Sequence, residues 1–112
     1  MTPRYAARIN SFASVPRLFW PDLEGKPSVM QMVARASTVP GLGAVDLNYP
    51  DHAAGDAAAI GERVRGNGLD VNGLAMRYYT NPAFKRGAFT NPDPAVRQEA
   101  IELTRRGIDA TR

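Results

Sequence analysis

The chain has no cysteine, one histidine, one tryptophan and only two lysines in its 112 residues. Without cysteine there is no disulfide, no thiolate zinc or iron–sulfur ligation, and no cysteine nucleophile. With a single histidine, His52, and acids scattered singly along the chain, no dense ligand spacing for a metal ion arises. Long apolar runs are missing too. None approaches the ~20 residues that span a bilayer. The opening residues carry no apolar h-region, so no secretory leader is expected and the expected location is the cytoplasm. There is no G-x-G-x-x-G, no P-loop and no serine elbow. The run Gly41-Leu42-Gly43 is followed by a strand pattern, not a helix, and so makes no phosphate loop.

The rest of the composition is that of a folded domain. Hydrophobic residues make up 44% and charged residues 22%, which excludes wholesale disorder. The length bounds the chain to one domain or part of one. Net charge is +3, and of 14 basic residues only Lys26 and Lys85 are not arginine. These charges are spread among acids. The tightest cluster, Arg105-Arg106, is flanked by Glu102 and Asp109. A solvated surface accounts for that better than a nucleic-acid footprint.

Three segments read as strands: 4–12, 43–49 and 70–76. Each is short and bounded by Gly, Pro, Asn or Asp. In the first, Tyr5, Ala7, Ile9 and Ser11 alternate against Ala6, Arg8, Asn10 and Phe12. Three helices are expected, at 28–38, 56–65 and 94–110. Ser28 caps the first, Val29, Met30, Met32, Val33 and Ala36 give it an apolar stripe, and Pro40-Gly41 stops it. Gly66 and Gly68 end the second. Asp93 caps the third, with Pro94 at the first helical position, where its missing N–H goes unused.

The order is strand, helix, strand, helix, strand, helix, which argues for an α/β protein with a parallel sheet. The links from helix to strand are short and those from strand to helix are long. In parallel α/β architectures the loops after the strands' carboxyl ends build the site. A (β/α)8 barrel uses ~31 residues per unit, so this chain holds about three units. Three strands cannot close a barrel, and an open three-stranded parallel sheet with helices is expected.

Polar and aromatic residues gather at the expected strand ends. Asn10, Phe12 and Trp20 follow the first, Asn48 and His52 the second, Arg77 and Tyr79 the third. Aromatic walls with a few amides and charges suit a small polyol, since rings pack on C–H faces while polar groups orient hydroxyls. The same aromatics would serve equally to pack loops. His52 beside Asp51 is a candidate general acid/base, or else a surface histidine in a turn. Asp46 alternates with Val45 and Leu47 and is either a structural carboxylate or a site group.

Three segments resemble the opening of the xylose-isomerase-like barrel proteins, the sugar isomerases and epimerases that share a fold with endonuclease IV. They are RYAARINSF at 4–12, VPGLGAVDLNYP at 39–50 and VNGLAMRYY at 71–79. The stretch from NPAF at 81–84 through GAFTNPD at 87–93 is similar to that family's long third loop. The resemblance implies the first three βα units of a (β/α)8 TIM barrel. It implies carbohydrate metabolism with a divalent metal ion (Mn, Mg, Co or Zn) held by carboxylates and a histidine of later strands. In that reading Asn10, Phe12, Trp20, Asn48, Arg77 and Tyr79 contribute substrate wall and no metal ligand. His52 is the counterpart of a sugar-contacting histidine in some members, and the chain alone is expected to be inactive. Two alternatives follow from the same residues. One is a non-catalytic remnant or interaction fragment that self-associates through open sheet edges. The other is an enzyme of the endonuclease IV type, for whose multi-metal cluster one histidine is too few.

Overall fold

The computed structural model describes residues 3–112. Its centre is β2 (Leu42–Tyr49), flanked by β1 (Tyr5–Arg8) and β3 (Asp70–Met76), all parallel, in the order β1-β2-β3. Alternation along β2 sorts its side chains onto two faces. Val45, Leu47 and Tyr49 are buried under helices. Asp46 and Asn48 point the other way, level with Arg8 of β1 and with Gly73 and Ala75 of β3.

The helices form one layer. α2 (Val29–Ala36) carries a full capping box: Gln31 N–H donates to Ser28 Oγ at 3.1 Å, and Ser28 N–H donates to Gln31 Oε1 at 2.8 Å. Its Met32, Val33 and Ala36 meet Val45 and Leu47 together with Val64 of α3 (Ala57–Gly66). α4 (Pro94–Ala110) begins at Asp93, whose side chain accepts from Ala95 N–H at 2.9 Å. Ala100 and Leu103 of α4 pack with Tyr49 and Phe84 in a second cluster, bridged to the first by Leu74. Gly107 permits this approach. A Cβ there would lie 2.6 Å from Met76 Sδ.

The first strand is shorter than the span 4–12 read from alternation. It ends at Arg8, and Ile9–Ala13 form a 3-10 turn. In a strand, Ile9 and Phe12 would lie on opposite faces. In the turn, residues three apart share a side, and both join the first core cluster. The long link that follows contains a short helix, α1 (Pro16–Phe19), with Pro16 in its first turn. The other boundaries differ from the sequence reading by at most two residues.

The opposite face of the sheet carries no helix among the described residues. Its groups are polar or small: Asn72 Nδ2 donates to Asp46 Oδ1 at 2.7 Å, and Arg4 pairs with Asp70 across the amino-terminal end. The outcome is a slab of 46 × 37 × 25 Å with a radius of gyration of 15.9 Å. A closely packed chain of this length would show about 13 Å. Its accessible surface, 7390 Å², likewise exceeds the roughly 6,000 Å² of a compact chain of this mass. No helix among the described residues is long and apolar enough to cross a membrane.

Candidate functional site

Parallel pairing brings all three carboxyl ends to one rim. Arg8 closes β1, Asn48 and Tyr49 close β2, and Arg77 follows β3. The ladder runs one residue past β3, since Arg77 N–H donates to the Tyr49 carbonyl at 2.7 Å.

After β2 the chain turns back on itself through a cis Tyr49-Pro50 bond. His52 N–H donates to the Asn48 carbonyl at 2.8 Å, and Ala54 N–H donates to the Pro50 carbonyl at 2.9 Å. Ala53 is buried in the second core cluster and anchors the turn. The turn swings the imidazole over its own strand, where His52 Nδ1 accepts the Asn48 backbone N–H at 2.8 Å. With Nδ1 acting as acceptor, the proton of the neutral ring sits on Nε2. Burial lowers the His52 pKa from its ordinary value. Asp51 opposes that shift, while Arg77 and Arg8 reinforce it. The ring is therefore a neutral donor at Nε2. A base at Nε2 would need the other tautomer, which sets Nδ1–H against the Asn48 N–H.

Asn48 is held from a second side, because Arg8 Nη2 donates to its Oδ1 at 2.7 Å. Only 3% of Asn48 is exposed, although it lies on the face without helices. Arg77 stacks at 5.1 Å over the ring of Tyr79, itself largely exposed. Two buried polar atoms of this region, Arg77 Nε and Asn10 Oδ1, have no hydrogen-bond partner among the described residues.

The remaining expected wall residues serve the link between β1 and α2. Trp20 Nε1 donates to the Phe12 carbonyl at 2.8 Å, and the Arg35 guanidinium lies 3.5 Å above the Trp20 ring. The Phe12 side chain packs on the first core cluster. Trp20 and Phe12 thus tie the loop to α2, while Asn48, His52 and Arg77 belong to the rim. Asp46 lies one step below the rim and accepts from Asn72.

Arg8 does not stand out in the sequence, because the alternation sets it inside a strand continuing to Phe12. The signal for it is the three-residue spacing of Ile9 and Phe12, which ends the strand at Arg8.

The divalent metal implied by the resemblance finds no cradle here. No group of three or more His, Asp or Glu among the described residues could hold one, and His52 Nδ1 is already committed to a backbone amide. A groove of about 650 Å³ lies away from the rim. It runs beside β3 and is lined by Leu47, Gly61, Arg65, Leu74 and the end of α4. No family model matches the chain, and no curated protein matches it either.

Proposed function

We propose that these residues are the opening three βα units of a (β/α)8 barrel of the sugar isomerase and epimerase type. Their strand-end rim would be one wall of its polyol pocket. The observation that carries this reading is the division of the sheet into two faces. One packs under helices. The other is polar, stays open, and leads to a rim where Asn48, His52, Arg8 and Arg77 converge. An interior-facing barrel surface ends in this way at its carboxyl-terminal mouth. The long loops at that end and the quoted segments support the same reading.

In this reading the chain's own residues bind and orient. The His52 Nε2–H and the guanidinium groups donate to substrate oxygens, and Asn10 Oδ1 accepts from a hydroxyl. The metal of such enzymes polarises neighbouring oxygens. Its ligands would belong to further βα units.

Titration of the ¹⁵N-labelled chain with pentose and hexose aldoses and ketoses tests the proposal. Amide shifts centred on Asn48, His52 and Arg77 are expected, without isomerisation of the sugar. Shifts scattered over the helical face, or none at millimolar sugar whether neutral or charged, would remove it.

The outer edges of β1 and β3, unpaired among the described residues, favour a second reading as an interaction fragment. Sedimentation separates the two. Concentration-dependent assembly supports the second reading, and a stable monomer opposes it.

A further inference from the structure

The rim is rich in donors and poor in acceptors. Arg8 ends β1 and Arg77 follows β3, on either side of β2, and both act on the His52 ring. Neither makes an ion pair among the described residues, where the pairs are Arg4–Asp70, Arg105–Glu102 and Arg112–Asp109. Arg8 uses one N–H on Asn48. A guanidinium has five N–H donors and no acceptor, so most of its capacity is left. Arg77 Nε is buried with no partner among the described residues. Such a donor has lost its water and gained nothing in return. The neutral His52 adds a further donor at Nε2.

Two carboxylates lie near this group. Asp46 accepts from Asn72 on the sheet floor, and Asp51 is exposed in the turn. Neither forms a salt bridge with an arginine of the rim. Among the described residues the one buried side-chain acceptor without a partner is Asn10 Oδ1, which is buried in the same way as Arg77 Nε.

A neutral polyol needs donors and acceptors in balance, because every hydroxyl both gives and takes. A rim of donors is complementary to a group that only accepts. Carboxylate and phosphate are such groups, and planar guanidinium forks match them in shape. The unsatisfied Asn10 oxygen then takes a hydroxyl.

We infer that the ligand of this rim is an anionic carbohydrate, with its carboxylate or phosphate received by Arg8 and Arg77 and a hydroxyl received by Asn10. This rests on the polyol reading above and names the substrate class within it.

Four probes test it on the full chain by amide and arginine Nε–H shifts: gluconate, glucose 6-phosphate, glucose and inorganic phosphate. At least one of the two charged sugars should bind about tenfold or more tighter than glucose. Whichever binds tighter identifies the anion. Arg77→Gln should abolish the preference and Arg77→Lys should retain part of it. Arg8→Gln gives a second reading of the same effect, with circular dichroism confirming the fold of each variant. Added salt should weaken the charged sugars and leave glucose unchanged. Glucose binding as well as the charged sugars would overturn the inference and leave the polyol reading standing. Phosphate binding as tightly as the charged sugars, with no glucose binding, would sustain an anion site and remove the carbohydrate. Silence from all four would remove both.

Discussion

The backbone N–H of Asn48 donates to Nδ1 of His52 over 2.8 Å, while the Asn48 side chain accepts from Arg8 over 2.7 Å. One residue at the end of the central strand thus positions an imidazole with its main chain and a guanidinium with its amide. Both partners reach it from outside β2, so the rim's arrangement depends on the turn after β2 and on where β1 stops.

Stability should fall on the acid side. The folded-state pKa of His52 lies below the 6.5 of the unfolded chain. Above 6.5 both states hold a neutral ring and the contribution of burial is fully present. As pH falls below 6.5 the unfolded chain takes up its proton first, and stability is lost down through the folded-state pKa. Urea midpoints measured from about pH 8 to about pH 5 should drop for the natural chain. His52→Gln should flatten that slope.

Gly87→Ala should destabilise the loop leading into α4. Gly87 has a φ of 112°, and a Cβ there would lie 2.8 Å from Thr90 Oγ1 and 3.2 Å from Asn91 N. The second of these is backbone, which cannot swing aside. A loss of about 1–3 kcal/mol is expected from denaturant unfolding.

Ile9→Ala should be the more damaging of two neighbouring core changes. Ile9 is fully buried between the turn after β1 and α2, whereas Phe12 is partly exposed. Truncation should remove about 2–5 kcal/mol, and Ile9→Val only about 1 kcal/mol, read as shifts of the thermal midpoint.

Ser28→Ala should weaken α2 by about 1 kcal/mol, because the backbone N–H of Gln31 loses its acceptor. Amide exchange would locate the effect in the first turn of α2, and Ser28→Asp should restore protection there.

Much of the scaffold can be read from short-range chemistry. Asp93 followed by Pro94 marks the start of α4 because a cap and a fixed φ act on adjacent residues. The alternation Val45, Leu47, Tyr49 marks the buried face of β2 because a strand sends successive side chains to opposite sides. The strand-like alternation of 4–12 misleads at Ile9, where a period of three competes with a period of two and packing against α2 decides between them. The start of α1 is equally hidden. Val15 there takes a φ of 47°, a conformation its β-branched side chain disfavours. At the rim, His52 and Arg77 stand out by residue type and position. The tautomer of His52 does not, since it follows from a turn that brings residue 52 back onto residue 48. The roles of Phe12 and Trp20 were equally out of reach, since the Trp20–Arg35 stack joins segments far apart in sequence.

The two returns from helix to strand are both tight and both hinge on glycine. Leu42 N–H bonds the Val39 carbonyl around Gly41, at a φ of 84°, and Leu69 N–H bonds the Val64 carbonyl around Gly68, at a φ of 78°. Any side chain at either hinge would strain the turn, and a lengthened turn would shift the pairing of the next strand. The loops at the other end are longer and are held at separate points, Gly87 with its φ of 112° and the buried Ala53 among them. A change at either hinge is passed to the whole sheet through the register of the next strand, while an added residue in the loops at the opposite end lies outside the paired strands.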